Sequence, residues 1–171
     1  SIPFIVITIA IFSSIVHLGS NPPLLGFFLR PTEIFPRNTY TNIKENGVYT
    51  INSIYKKIIN DAHHTSAKYD KNISEFSVTN LKEEYIEDIY APFVKNSPIK
   101  IEMKFLEEIK IKANKCKLIV GKIVSLHIEN KLLEKDGFLS LNKGKIPTIS
   151  GCDGYYIPND YIRKEYQKLN K

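Results

Sequence analysis

Residues 12–31, FSSIVHLGSNPPLLGFFLRP, and residues 36–52, PRNTYTNIKENGVYTIN, place polar residues typical of phosphate sites between apolar strands. Two hydroxyls begin the first segment, an arginine-proline pair ends it, and a short helical pattern in the second stops at Gly47. Hydroxyl groups, guanidinium groups and a helix N-terminus can together hold a phosphate without a glycine-rich loop. The residues that carry this pattern are Ser13, Ser14, Arg30, Arg37, Thr39 and Asn42.

Apolar segments spread along the chain predict a mainly β protein. In residues 99–105, isoleucine, methionine and phenylalanine alternate with lysine and glutamate, which gives this strand one apolar and one charged face. Gly121 predicts a bulge or a close approach within a strand. We predict strands over residues 4–12, 24–29, 48–54, 99–105 and 117–129.

The helical patterns are short. Asn80 and Glu83 have the spacing of a capping box, and a C-terminal pattern follows Pro158. We predict helices over residues 39–46, 55–63, 80–90 and 160–169. Many strands with a few short helices favour a closed β-barrel with helical additions over a doubly wound sheet.

Composition limits the possible functions. The 171 residues are 43% hydrophobic, which suits one domain with a sizeable core, and the formal net charge is +6. The lysines alternate with glutamates instead of clustering, so we predict no nucleic-acid binding.

Cys116 and Cys152 lack the spacing of a zinc or dithiol site. Residues 2–12 are too short to cross a bilayer and have no leader features, so we expect a cytoplasmic protein without a membrane span.

Several catalytic signatures are absent from the sequence. It contains no GxGxxG dinucleotide fingerprint, P-loop, HExxH motif or GxSxG elbow. This disfavours a classical dehydrogenase, an NTPase, a zinc protease and an α/β-hydrolase. We predict no catalytic side chain and no metal site.

A second polar cluster, residues 61–68, reads DAHHTSAK. His63 and His64 could bind a metal, but no spaced carboxylate or cysteine accompanies them. A nucleophile at Ser66 lacks an elbow and an orienting acid. Two interpretations stay open: a polar loop capped by Thr65 and Ser66, or contact of Thr65, Ser66 and Lys68 with an anionic cofactor.

The first cluster also has structural alternatives. The two serines could be ordinary turn hydroxyls at a strand end, and Arg30 and Arg37 could pair with Glu33 or Glu45 at the surface. Thr39 could cap a helix, and Asn42 could lie on a solvated helix face. Their joint occurrence between apolar strands favours a cofactor site.

A series of segments resembles the flavin reductase-like, FMN-binding split-barrel family, which includes flavoredoxins. No single segment is a strict catalytic signature, but the series appears in the order of the family and covers residues 11–158. The segments are IFSSIVHLGSNPPLLGFFLRP, RNTYTNIKENGVYTIN, DAHHTSAKYDKNISEF, APFVKNSPIKIEMKFLEE, LIVGKIVSLHI and LLEKDGFLSLNKGK, followed by GCDGYYIP.

The resemblance implies a single domain over residues 1–171 with a Greek-key split β-barrel, a homodimer, and FMN bound near the subunit interface. Members of the family usually have a longer N-terminal region with an additional strand, which leaves open whether this chain begins partway through the natural protein. The residue pattern and the resemblance together give the predicted flavin-binding residues, which are Ser13, Ser14, Ile15, Arg30, Arg37, Thr39, Asn42, His64, Thr65, Ser66 and Lys68.

The function that the resemblance implies is hydride transfer from NADH or NADPH to FMN. A bound flavin carries the redox chemistry, which agrees with the absence of a catalytic triad. One alternative is a flavoredoxin-like electron carrier that receives electrons from a redox partner protein. Another is a non-enzymatic barrel that binds a flavin or another anionic ligand.

Overall fold

Antiparallel strands dominate the protein. The computed structural model describes residues 7–32, 37–70, 72–86 and 88–168. The strands are β1 (Ile15–Ser20), β2 (Pro23–Leu29), β3 (Val48–Asn52), β4 (Glu83–Glu84), β5 (Phe93–Val94), β6 (Ile99–Lys110), β7 (Lys117–Ile128), β8 (Thr148–Ser150) and β9 (Gly154–Tyr156). The largest sheet has five strands in the order β1–β2–β7–β6–β3, and two strand pairs, β4–β5 and β8–β9, lie outside it.

The mainly β class is therefore confirmed, and four of the five predicted strands are present as β2, β3, β6 and β7. The longest pair, β6 and β7, runs antiparallel from Ile99 opposite Ile128 to Lys110 opposite Lys117. The register shifts between Phe105 and Glu107, next to the position where Phe105 faces Gly121. A bulge near Gly121 was predicted and is confirmed.

The sheet carries the largest apolar cluster on one face. Phe27 and Leu29 of β2, Tyr49 of β3, Met103 of β6 and Ile119 of β7 are buried in it. The first helix covers this cluster with Ile43, which is 2% exposed. Burial of this apolar surface is the main stabilising contribution to the fold.

The helices are short, as predicted. They are α1 (Asn38–Asn46), α2 (Ile59–His64) and α3 (Glu75–Val78), with 3-10 turns at Lys56–Ile58 and Asn130–Leu132. The helices predicted over residues 39–46 and 55–63 correspond to α1 and to the 3-10 turn followed by α2. Gly47 ends α1 in a left-handed conformation, with φ at 71°.

The strand predicted over residues 4–12 is wrong for residues 7–12, which form no strand, and residues 4–6 lie outside the described part. Ile7 and Ile9 pack instead against the cluster around Phe76. The backbone N–H of Ile9 donates to the Glu75 carboxylate at 3.0 Å. The apolar run is thus covered by side-chain packing, and its backbone is not used for strand pairing.

The helix predicted over residues 80–90 is also wrong. Glu83 and Glu84 pair with Val94 and Phe93 as the short β4–β5 ladder. Asn80 does not begin a helix, because its N–H and side-chain amide both donate to Asp61. Tertiary pairing therefore overrides the local capping pattern.

The second incorrect helix is the C-terminal one, because residues 159–168 contain no helical residue; residues 169–171 lie outside the described part. Ile162 and Tyr166 of this segment are 82% and 88% exposed. A short helix that buries no apolar face does not recover its nucleation cost.

None of the helices in the described ranges is long and apolar enough to span a bilayer.

Candidate functional site

The β1–β2 hairpin positions the two predicted serines. Ile15 lies opposite Phe27, so Ser13 and Ser14 lie beside the end of β2, where Arg30 follows. The Ser14 hydroxyl donates to the Phe28 carbonyl at 3.4 Å and accepts from the Phe28 N–H at 3.3 Å. Ser14 therefore joins the two strands at the open end of the hairpin, as the strand-end alternative expected, whereas Ser13 is exposed and Ile15 is 40% exposed.

Helix α1 packs over the end of the sheet and is held there by contacts with β6 and β7. The Tyr40 hydroxyl donates to the Glu108 carboxylate of β6 at 2.8 Å, and Lys44 pairs with the same carboxylate at 3.4 Å. The Lys117 ammonium of β7 lies 4.6 Å from the centre of the Tyr40 ring. Because Lys117 faces Leu29 in the β2–β7 ladder, the start of α1 and the segment after β2 meet at one edge of the sheet.

These contacts also set the electrostatics of this edge. Burial alone would raise the pKa of the Glu108 carboxyl. The hydrogen bond from Tyr40 and the positive charges of Lys44 and Lys117 outweigh that cost and lower the pKa overall. Glu108 is therefore an ionised anchor for α1.

The N-terminus of α1 presents cationic and amide groups. Arg37 is the exposed N-cap residue; it makes no side-chain cap hydrogen bond, and the first turn holds no acidic residue. Within the described ranges no ion pair joins Arg30 or Arg37 to an acidic residue, and Glu33, a predicted partner, lies outside those ranges. Backbone donors beside a guanidinium group favour an anion here.

Two further α1 residues face a neighbouring segment. The Thr39 hydroxyl lies 3.4 Å from that of Thr8, and the Asn42 amide donates to Thr8 at 3.3 Å. Thr39 is therefore not the helix cap. Asn42 is half-buried instead of solvated. Both side chains fix residues 7–9 against α1.

The second cluster forms the end of α2 and the loop after it. The buried Thr65 hydroxyl donates to the Ala62 carbonyl at 2.6 Å, so it caps the helix end. His64, Ser66 and Lys68 are exposed, and the His64 ring lies 5.9 Å from that of Tyr69. The polar-loop interpretation fits Thr65. The side chains of His64, Ser66 and Lys68 can reach a ligand from solvent.

His63 faces away from His64, toward the β8–β9 hairpin. Its Nδ1 lies 2.8 Å from the Tyr155 hydroxyl, and the two rings meet edge to face. Within the described residues there is no group of three or more His, Cys, Asp or Glu side chains that could hold a metal.

The two predicted clusters are linked indirectly. Thr8 contacts α1, and the next residue, Ile9, packs in the same apolar cluster as Ile58, which directly precedes α2. The structure thus brings Ser13, Ser14, Arg30 and α1 to one edge of the sheet. It connects the His64–Lys68 loop to that edge through residues 7–9.

Most of the predicted flavin-binding residues lie at the surface of this single chain, whereas Thr65 is buried and Ser14, Thr39 and Asn42 are half-buried. A cavity of about 310 Å³ lies beside α3, and one of about 250 Å³ lies between His63 and Tyr155. None of the predicted flavin-binding residues lines either cavity.

Sequence reasoning missed several residues that hold the site together, among them Thr8, Thr32 and Lys117. Thr8 lies in a run interpreted as a strand, and Thr32 follows a proline without a recognisable motif. Lys117 begins a predicted strand, where a lysine usually indicates a solvated end, yet it is only 8% exposed. Only its long-range partners reveal its role, so no local signal could have found it.

Comparison with known proteins gives the family. The model of the flavin reductase-like domain matches residues 6–157. A proposed flavin reductase with a split-barrel domain from Shewanella frigidimarina NCIMB 400 is 41% identical, with a TM-score of 0.88 over 94% of this chain and 79% of its own. The flavoredoxin of Desulfovibrio vulgaris (Miyazaki F) is 23% identical, with a TM-score of 0.78 over 92% of this chain and 81% of its own.

A curated relative, the uncharacterized protein YwrF of Bacillus subtilis (strain 168), is 25% identical over 123 residues. This match covers 70% of the chain and only 60% of the relative's length. The structural agreement confirms the predicted split barrel. The chain belongs to the flavin reductase-like domain family.

Proposed function

We propose that this domain binds FMN and passes reducing equivalents from NADH or NADPH through it. The observation that carries the proposal is the convergence of Ser13, Arg30 and the N-terminus of α1 at one edge of the split barrel. Family membership supports a flavin as the ligand. The exposed guanidinium groups of Arg30 and Arg37 at this edge support a flavin that carries a phosphate group.

The donor set fits a flavin phosphate. A phosphate needs hydrogen-bond donors and positive charge, which the exposed guanidinium groups of Arg30 and Arg37 and the uncapped start of α1 supply. Ser13 adds an exposed hydroxyl on the adjacent hairpin. His64, Ser66 and Lys68 are candidates for contacts with the rest of the cofactor.

When bound, the flavin supplies the hydride chemistry, and the protein supplies binding and electrostatics. Arg30 and Arg37 would bind the phosphate and orient the cofactor. No side chain need remove or donate a proton during hydride transfer, so the proposed activity requires no catalytic triad.

We also propose that the site is completed by a second copy of the chain. Support comes from the exposed side chains at the site, since they offer a flavin an open surface and line neither of the two cavities described above. These side chains are Ser13, Arg30, Arg37, His64, Ser66 and Lys68. A flavin held only there would leave its ring largely in water. A homodimer would exclude that water and increase affinity.

The test begins with an absorption spectrum of the purified protein loaded with FMN and freed of excess ligand. Flavin bands that bleach anaerobically on addition of NADH or NADPH support the proposal. Bands that persist favour an electron carrier reduced by a redox partner protein. Failure to retain or bind FMN contradicts the flavin function itself.

Matched arginine variants locate the phosphate site. Arg30→Gln and Arg37→Gln should each weaken FMN binding about tenfold, because each removes a charge-assisted hydrogen bond. Arg163→Gln is the control, since Arg163 lies in the C-terminal segment and pairs with Asp136, which is not part of the proposed site. Unchanged FMN affinity in both site variants would contradict the proposed phosphate position.

A further inference from the structure

Lys117 is a buried lysine at the centre of the contacts that join the two phosphate-binding segments. It lies at the start of β7 and is only 8% exposed. A buried ammonium group must be compensated by hydrogen bonds or by opposite charge. Its partners therefore indicate what the fold uses it for.

The Lys117 ammonium contacts both segments at once. It donates a hydrogen bond to the Thr32 hydroxyl, two residues after Arg30. It also lies over the face of the Tyr40 ring, 4.6 Å from its centre, in a cation–π contact. Tyr40 lies in the first turn of α1, three residues after Arg37.

A carboxylate on the neighbouring strand fixes the other end of Tyr40. The Tyr40 hydroxyl donates to Glu108 at 2.8 Å, and Glu108 also feels the charge of Lys117. Tyr40 is thus held at its hydroxyl by β6 and at its ring face by β7. The position of α1 over the sheet depends on both strands.

We propose that Lys117 is a positioning residue for phosphate recognition. By binding Thr32 and Tyr40 together, it holds Arg30 and the N-terminus of α1 at the separation that lets both contact one phosphate group. Its ammonium is committed beneath the surface and acts through these two neighbours. This inference rests on the proposed flavin function.

The consequence is selectivity between flavins that differ only in the phosphate. FMN carries the group that the positioned segments recognise, and riboflavin lacks it. Loss of Lys117 should therefore weaken FMN binding and leave riboflavin binding nearly unchanged. A purely structural role would weaken the binding of both ligands equally.

The experiment titrates the full chain with FMN and with riboflavin, following the quenching of flavin fluorescence. Lys117→Met keeps most of the aliphatic length and removes the charge. We expect the Kd for FMN to rise about tenfold and the Kd for riboflavin to change by less than about twofold. The control is Lys122→Met on the same strand, which removes the same charge from an exposed position and should change neither constant.

A second variant tests the inference independently if Lys117→Met fails to fold. Thr32→Val removes the hydroxyl that Lys117 binds, keeps the side-chain shape and leaves the charge in place. It should shift selectivity in the same direction, with an unchanged circular dichroism spectrum.

Two results would overturn the inference while leaving the flavin function intact: equal losses for FMN and riboflavin, or a wild-type protein that does not prefer FMN. A wild-type protein that binds no flavin overturns the proposed function and this inference together. An FMN-selective wild-type protein whose Thr32→Val and folded Lys117→Met variants keep the same preference overturns the inference alone.

Discussion

The hydroxyl of Tyr49 occupies the space that a side chain on Gly121 would need. A Cβ at Gly121 would lie 2.2 Å from the Tyr49 hydroxyl oxygen and 3.1 Å from the Lys104 carbonyl oxygen. Tyr49 projects from β3 across β6 to reach this point on β7, and its ring packs edge-on against Phe27. One glycine thus allows a single tyrosine to tie three strands of the sheet together.

Gly121→Ala should destabilise the protein by about 2 kcal/mol. The new methyl group meets the Tyr49 ring, which packs against Phe27, and the Lys104 carbonyl in the β6–β7 ladder, so side chain and backbone must both shift to make room. Urea denaturation followed by circular dichroism measures the change in the free energy of unfolding. A loss below about 0.5 kcal/mol would show that the Tyr49 ring relocates readily.

Tyr49→Phe should leave the free energy of unfolding unchanged or raise it by about 1 kcal/mol. The Tyr49 hydroxyl is buried and finds no hydrogen-bond partner among the described residues, and phenylalanine keeps the contact with Phe27. The substitution should also relieve part of the clash in Gly121→Ala, so the double variant should lose less than the sum of the two single changes. Additive losses would show that the hydroxyl is not the clashing group.

The same burial predicts an alkaline dependence of stability. Desolvation raises the pKa of the Tyr49 phenol in the folded state. The neutral phenol is therefore favoured by folding, and this contribution is complete below the unfolded pKa of about 10 and is lost above it. Between about pH 8 and about pH 11, wild-type stability should fall more than that of Tyr49→Phe. Parallel decreases in the two proteins would contradict this assignment.

The sheet could be predicted where local pattern and tertiary structure agree. Four strands, β2, β3, β6 and β7, each have an apolar face and clear ends in the sequence. Gly47 marks the end of α1, because glycine readily adopts the left-handed conformation that ends the helix. Residues 80–90 show the opposite case, because a capping pattern loses to the pairing of Glu83 and Glu84 with β5. The hairpin strand β1 was missed, since no strand was predicted between residues 12 and 24.

The candidate site was predictable in part, for a related reason. Exposed arginines and serines between strands indicate an anion site from sequence alone. The groups that hold them, Thr8 and Lys117, depend on partners more than 30 residues away along the chain. Such contacts exist only after folding, and a buried lysine has the same sequence signature as a solvated one.

Gly47→Ala should reduce stability by about 1 kcal/mol. Gly47 ends α1 at a φ of 71°, where a side chain is strained even though open space surrounds the position. Gly47→Asn should cost less, because asparagine tolerates the left-handed conformation better. Thermal unfolding of the two variants separates this backbone effect from packing, and equal melting temperatures for alanine and asparagine would contradict it.

Glu108→Gln should make the free energy of unfolding less dependent on pH in the acidic range. The pKa of Glu108 is lowered in the folded state, because the Tyr40 hydrogen bond and the nearby lysine charges outweigh desolvation. The stabilisation is therefore present above the unfolded pKa of about 4.3 and is lost as the pH falls through the lower, folded value. Since Glu108 is partly exposed, we expect about 0.5 kcal/mol at neutral pH.

The measurement is urea denaturation of the wild type and of Glu108→Gln at neutral pH and at about pH 3. The difference between the two proteins should shrink at the lower pH. Glu107→Gln is the matched control, because Glu107 is the exposed neighbour on β6. If Glu107→Gln has the same pH-dependent effect, general surface charge is responsible. If only Glu108→Gln has it, the anchor between β6 and Tyr40 stabilises α1, and the same variant should weaken FMN binding by loosening the helix that carries Arg37.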